Sequence, residues 1–377
     1  MPLSEVEHQP RAHRILQRAL AGRRMPHAYV FAGPEGVGKE LMAVGLAQTL
    51  LCPSQVRLDF TGQAGADLSG VDACGECQDC RLVKAGTHPD LYLIHRQLSR
   101  QHPEAEVRKR LATQLGVEVV RHFLIAQAGH RPARGRAKVF IVREAERMND
   151  SAQNAVLKTL EEPPPDTFLV LLSSGLDRLL PTTRSRCQQV VFQSLPVAFV
   201  ERRLGELCPD RPAAERAFAA RHSGGSLGQA LRDLEDGLFA LKRAWGQRLT
   251  ELAGAGPDFA AHALAGPFEA DARTLAKGVA ERDPDVSETD AARAGLRTLL
   301  AVLAEFYADA LRRVAGAALP PVNADQPEAV AALAGRFSRD ALLGGLRAVA
   351  EAESHVARNA NIQLAIETLF IRLRPAG

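Results

Sequence analysis

His27-Ala28-Tyr29-Val30-Phe31, followed after one residue by Gly33-Pro34-Glu35-Gly36-Val37-Gly38-Lys39-Glu40, is the stretch whose reading decides the fold. The first run is short, apolar and bounded by Pro26 and a glycine-rich turn, which predicts a buried strand. The second has the G-x-x-x-x-G-K spacing of a phosphate-binding loop. Residues 40–51 then predict a helix, with Leu41, Val44, Leu46, Ala47 and Leu50 supplying its apolar side. In a strand–loop–helix setting, glycines let successive backbone N–H groups converge on phosphate oxygens, and the helix N-terminus adds positive partial charge. Gly33, Gly36, Gly38 and Lys39 are therefore the candidate phosphate-binding residues.

Glu40 stands where a Ser or Thr hydroxyl ordinarily ligates the Mg²⁺ that bridges the phosphates. At ~4 Å and an effective dielectric of about 20, a carboxylate beside a phosphate costs on the order of 4 kcal/mol, unless Glu40 itself binds the metal. A second departure lies at the end of a later strand. Val139-Phe140-Ile141-Val142 leads into Arg143-Glu144, where an Asp-Glu pair would complete the metal site. An arginine there repels a cation. The two changes together predict that hydrolysis has been lost. The intact loop and Lys39 leave nucleotide binding without hydrolysis open.

Outward from this core, helices and strands alternate. A helix is predicted over 6–20, closed by Gly22 and Arg23-Arg24, and further strands over 139–142, 168–172 and 189–192. Between the first two of these a helix opens near Asn149-Asp150, a plausible cap, and stops at Pro163-Pro164-Pro165. Such alternation implies a mostly parallel sheet covered on both faces. Beyond about Ser194 the strand signal disappears. Residues 197–207, 213–222 and 227–241 read as three short helices, and 242–373 as further helices broken at Gly254-Ala255-Gly256-Pro257, Asp283-Pro284 and Pro320-Pro321. The polar stretches 54–73 and 96–113 read as surface excursions. The expected architecture is an α/β domain over 1–193, a small helical domain over 194–241 and a second helical domain over 242–377.

Bulk composition agrees with this and narrows the function. A chain of 377 residues with 46% apolar residues can build two or three cores. Its 47 basic and 44 acidic residues nearly cancel, so any nucleic-acid contact must come from a local patch. No stretch approaches the roughly 18 unbroken apolar residues of a membrane span, and no basic flank precedes an apolar run near Met1, so the expected compartment is the cytoplasm.

Six cysteines in a chain of this size do not suggest a secreted disulfide scaffold. Cys74-x-x-Cys77-x-x-Cys80 puts three thiolates within seven residues, and Cys52 can supply a fourth from the end of the preceding helix. Four thiolates make a closed tetrahedral zinc site, structural because no position is open to water. Asp79, His88 and Asp90 are alternative ligands, and an iron–sulfur cluster uses similar spacing.

Thr182-Thr183-Arg184-Ser185-Arg186-Cys187 falls between the strands predicted at 168–172 and 189–192. An arginine in such a loop is ordinarily a solvated charge. In a domain assembled side by side in a ring, however, this edge can face a neighbour's ATP. A guanidinium there stabilises charge on the transferred phosphoryl group, a contribution worth ~10³–10⁵ in rate.

Taken together, these residues resemble the bacterial DNA polymerase III clamp-loader family of AAA+ proteins. The resemblance rests on His27-Ala28, Gly33 to Lys39, the four cysteines and Thr87-His88-Pro89-Asp90-Leu91. It continues through Leu157-Lys158-Thr159-Leu160-Glu161-Glu162-Pro163-Pro164, Ser185-Arg186-Cys187, Gly224-Gly225-Ser226 and Asn361-Ile362-Gln363-Leu364-Ala365-Ile366-Glu367. It implies an AAA+ parallel-sheet domain with a zinc-binding insertion, a helical lid and a C-terminal helical collar. Glu40, Arg143 and Gly228, the last standing where a second sensor arginine would fall, are similar to departures of the family's non-hydrolysing delta-prime branch. The family spaces its first cysteine closer to the triplet than Cys52. The resemblance further implies a heteropentamer with gamma/tau and delta subunits, loading a sliding clamp on primed DNA, with structural Zn²⁺ and no ATPase activity of its own. Arg186, flanked by Ser185 and Cys187, would act in trans on a gamma/tau ATP site. Two alternatives stay open: an ATP-hydrolysing gamma/tau-type subunit, and a zinc-dependent DNA-binding module using His130-Arg131 and Arg134-Gly135-Arg136-Ala137-Lys138.

Overall fold

The computed structural model describes residues 2–22, 25–59, 69–134, 136–256, 259–358 and 361–374. Arg23-Arg24, Gly135, Pro257 and residues 60–68 of the first polar excursion lie outside them. The chain divides into two compact units, Met1–Pro196 and Val197–Gly377.

Among the described residues the first unit has seven strands: β1 (Ala28–Ala32), β2 (Val56–Asp59), β3 (Ser69–Asp72), β4 (Leu91–Ile94), β5 (Lys138–Val142), β6 (Thr167–Ser173) and β7 (Gln188–Val191). Five of them form a parallel sheet in the order β4-β5-β6-β1-β7. β1 and β5 are buried along their whole length, as befits central strands of a sheet covered on both faces. Ala28, Val30 and Ala32 pack with Val119, Leu124, Val156 and Leu160 on one face. The helix Lys39–Leu51 contacts β5 and β6.

The strand and helix positions expected around the phosphate loop agree with the fold to within about a residue. The helix expected over 6–20 instead spans Pro10–Ala21, because Pro10 suits the first helical turn, where its missing N–H costs nothing. The turn before it, Leu3–Glu5, is anchored by the buried Asp72 carboxylate, which accepts from the backbone N–H of Leu3 and Ser4. The polar stretch 54–73 holds the antiparallel pair β2–β3. The stretch 96–113 is not a plain surface excursion: it contains short helical turns, and Arg96 is 6% exposed.

Among its described residues the second unit is all helical. Helices span Val197–Leu207, Ala213–His222 and Leu227–Glu235, and Gly237 in the left-handed region separates them from Leu238–Gly254. The third helix expected over 227–241 is therefore two, and the boundary expected at 241/242 falls inside the second. Five more α-helices follow: Ala265–Arg282, Glu288–Val314, Pro327–Arg336, Arg339–Ala357 and Ile362–Arg372. Their core centres on Trp245, Phe268 and Phe370, whose ring centroids lie 5.0–5.5 Å apart. Phe218 and Leu238 join the same cluster.

Helices Ala265–Arg282 and Glu288–Val314 approach so closely that a Cβ on Gly295 would collide with the backbone carbonyl of Ala272. Gly295→Ala should lower stability by on the order of 1–3 kcal/mol through overpacking. The urea midpoint should fall with the far-UV spectrum preserved, and an unchanged midpoint would contradict this packing.

Candidate functional site

In a parallel sheet, ligands meet the carboxyl ends of the strands. Three strand ends converge there: the loop after β1, Arg143-Glu144 after β5, and Ser173-Ser174 at β6. Gly33, Gly36 and Gly38 all adopt positive φ. A Cβ at Gly33 would run into the carbonyl of Phe192, so the loop can approach the next strand only without a side chain. Gly38 caps the helix Lys39–Leu51 at its N-terminus. Lys39 is 9% exposed, and its Nζ donates to the carbonyls of Gly33 (2.6 Å) and Pro34 (2.5 Å). Burial lowers its pKa, with Glu146 and Glu35 opposing. The four expected phosphate-loop residues are thus brought together.

The two departures from a metal site meet each other. Arg143 Nη2 donates to Glu40 Oε1 across 103 positions of sequence. Glu144 is also engaged. It sits at φ 48°, ψ 47°, a conformation costly for a residue with a side chain. Its carboxylate accepts from Arg96 Nε at 3.0 Å and pairs with Arg147 Nε at 2.9 Å. Arg96 Nη1 also donates to the carbonyl of Ala112 at 2.6 Å, so the 96–113 segment closes over this strand end. Sequence reading missed Arg96, because a lone arginine in a polar stretch carries no signal of burial.

At the amino edge of the sheet, β7 enters with Gln188 beside Tyr29, the second residue of β1. The phosphate loop leaves β1 after Ala32, three residues or roughly 10 Å further along the strand, so Arg186 precedes β7 at the opposite end of the sheet. Arg186 Nε donates to Glu161 Oε1 at 2.7 Å and its Nη2 pairs with the same oxygen. Arg186 Nη1 donates to the carbonyl of Thr182 at 2.9 Å and to Ser185 Oγ at 3.4 Å. Ser185 Oγ in turn donates to Thr182 O at 3.1 Å. Cys187 lies in the core under the sheet, and burial pushes its thiol up to about 12.

Cys52, Cys74, Cys77 and Cys80 place their Sγ atoms within 4.8 Å of one another. The Sγ pairs Cys52–Cys74, Cys52–Cys77 and Cys74–Cys80 are 3.6, 3.9 and 3.9 Å apart, and none is a disulfide. A tetrahedral ion with metal–sulfur bonds of about 2.3 Å needs edges of about 3.8 Å, so the donor set fits a single ion. A multi-iron cluster would need room for several atoms between its ligands. The backbone N–H groups of Cys74, Cys77 and Cys80 each donate to the sulfur of another cysteine at 3.4 Å, as suits thiolates. Those of Cys77 and Glu76 lower Cys74 to about 7, whereas burial raises Cys52 and Cys80. Asp79 and His88 pair with each other at 3.2 Å, and Asp90 accepts from Ala133 and Arg134 N–H, so none joins the cluster.

The basic run beyond β4 is turned onto the protein. Arg134 pairs with Asp79 at 2.6 Å, Arg136 donates to the carbonyls of Cys52 and Pro53, and Lys138 Nζ donates to Gln127 O and to the carbonyls of Ala128 and His130. Each of these three side chains thus has partners within the protein, Lys138 buried and Arg134 and Arg136 exposed.

The family described as DNA polymerase III, delta subunit, matches residues 8–196, and that described as DNA polymerase III, delta subunit, C terminal, matches residues 288–374. The chain is 38% identical over 208 residues to DNA polymerase III subunit delta' of Pseudomonas aeruginosa, covering 55% of this chain and 56% of that protein. It is 29% identical over 370 residues to DNA polymerase III subunit delta' of Escherichia coli, covering 97% and 93%. Subunit tau of Escherichia coli matches at 30% over 232 residues, covering 60% of this chain and 32% of tau. The chain therefore spans little more than half the length of the Pseudomonas relative and nearly all of the Escherichia coli delta'. No helix among the described residues is long and apolar enough to cross a membrane.

A metal in the cysteine cluster should hold the Cys52 helix end and the Cys74–Cys80 turn together. Chelator should lower Tm by about 5 °C or more, and the Cys77→Ser/Cys80→Ser protein should melt there without chelator. Identical melting with and without chelator would rule out a structural metal.

Proposed function

Because the chain belongs to the DNA polymerase III delta-subunit family, we propose that it is a delta-prime-type, non-hydrolysing subunit of a clamp-loader complex. The observation that carries this reading is the Arg143–Glu40 ion pair. A Mg²⁺ ion bridging phosphates wants an uncharged or anionic ligand on the helix and a carboxylate on β5. Here the helix carboxylate is spent on a guanidinium, and the remaining acid, Glu144, is held by two more. Gly33, Gly36, Gly38 and Lys39 keep the form of a phosphate loop without its metal, so any ATP or ADP it holds is not turned over. The gamma/tau-type alternative would need Glu40, Arg143 and Gly228 all to be harmless.

The partners proposed are gamma/tau and delta subunits in a heteropentamer, with the sliding clamp and primed DNA reached through the complex in the cytoplasm. Arg186 is the arginine finger: it lies at the sheet edge remote from its own phosphate loop, which favours action on a neighbour's gamma/tau ATP site. Ser185 and the buried Cys187 hold its loop. The cysteines bind a structural Zn²⁺, for which four sulfurs in a closed set are suited. Helices in 194–241 form a lid on this reading, and 242–377 the collar.

The isolated protein should turn over ATP at background, with or without Lys39→Ala, and should enter a complex with gamma/tau and delta. Robust turnover abolished by Lys39→Ala would sink the reading. In the reconstituted complex, Arg186→Ala should assemble normally and slow hydrolysis at the adjoining site by about 10³-fold or more. Unchanged complex ATPase would remove the finger assignment.

A further inference from the structure

We infer that Glu161 is the positioning residue for Arg186: it fixes the guanidinium at the amino edge of the sheet as a preset donor to the terminal phosphate of a nucleoside triphosphate in the adjoining subunit. The inference rests on the finger role proposed above and adds a residue to it. Arg186 has five N–H donors. One carboxylate oxygen of Glu161 receives Nε and Nη2, and Nη1 is directed to Thr182 O and Ser185 Oγ. These contacts define the plane and rotation of the guanidinium while leaving an Nη2 N–H for an incoming anion. The side chain is 33% exposed, so an anion can reach it.

The location of Glu161 argues against a purely structural role. It occupies the last turn of the helix Asp150–Glu161, where backbone carbonyls already concentrate negative charge, and Glu162 follows it. An acid there opposes the helix dipole. Its side chain is 48% exposed, and ion pairs this open add little to stability. What the pair supplies is order. A long arginine left to solvent samples many rotamers, and freezing them during phosphoryl transfer slows the reaction.

The test uses the complex reconstituted with gamma/tau and delta subunits, comparing Glu161→Ala, Glu161→Gln, Arg186→Ala and the double variant Glu161→Ala/Arg186→Ala. Glu161→Ala should assemble, melt like the parent and lower kcat about tenfold, with KM for ATP essentially unchanged. Glu161→Gln, which keeps the accepting oxygen, should recover most of the rate. The double variant should be no slower than Arg186→Ala alone, because Glu161 acts only through Arg186. If Arg186→Ala is slow while Glu161→Ala is not, or if the two losses multiply in the double variant, the positioning role fails and the finger stands. If Arg186→Ala leaves the rate untouched, the finger reading fails and takes this inference with it. Should Glu161→Ala not assemble, Glu161→Met, which keeps the side-chain length and removes the accepting oxygens, replaces it, with the same rate loss expected and an unchanged rate overturning the inference.

Discussion

The ion pair between Arg143 and Glu40 joins the two positions at which this phosphate-loop pattern departs from a metal-binding one. Each residue alone is a liability: an acid beside phosphates, or a cation where a metal would bind. Side by side they neutralise each other and link the helix after the phosphate loop to the end of β5. Because both side chains are more than a third exposed, the pair adds little to folding free energy. Its consequence is chemical. An ordinary site of this geometry sets a hydroxyl and an acidic pair around a dication. Glu40 and Arg143 sum to zero, and Glu144 is already claimed by Arg96 and Arg147.

A parallel sheet has two functionally different edges, and this chain treats them oppositely. The carboxyl edge carries three positive-φ glycines and Lys39, and both Glu40 and Glu144 there are paired with arginines. The amino edge keeps an arginine clamped between Glu161 and Thr182. On the proposed reading the protein gives up chemistry on its own nucleotide and lends a charge to the next subunit. The cysteine cluster is joined to the approach of β5. Arg136 ties Cys52 to the approach of β5, and Arg134 ties Asp79 to the same approach, so a bound metal would brace the strand that carries Arg143.

Most of the fold was legible from residues 27–51, because the buried strand, glycine loop and helix have distinct periodicities and a fixed order. The later strands of the sheet were legible as short apolar runs, and Asn149 as a cap, its side chain accepting from Ala152 N–H at 2.8 Å. The four cysteines meet as expected, Cys52 included despite its distance in sequence. What was hidden has physical causes. β2 and β3 lie in a polar stretch with no unbroken apolar run, whereas β4, Leu91-Tyr92-Leu93-Ile94, is a short apolar run that was not singled out as a strand. The split at Gly237 rests on one left-handed residue. The partnerships of Arg143 with Glu40, Arg96 with Glu144 and Arg186 with Glu161 join positions 25 to 103 residues apart, and no local pattern encodes them.

On the proposed reading, this phosphate loop holds no divalent cation. Mn²⁺ suits the same oxygen ligands as Mg²⁺ and is visible by electron paramagnetic resonance. Titrating Mn²⁺ into the isolated protein with ADP or ATP should leave the nucleotide–metal signal as it is without protein. A stoichiometric protein-bound Mn²⁺ signal that depends on nucleotide and is lost on Glu40→Ala would contradict the account.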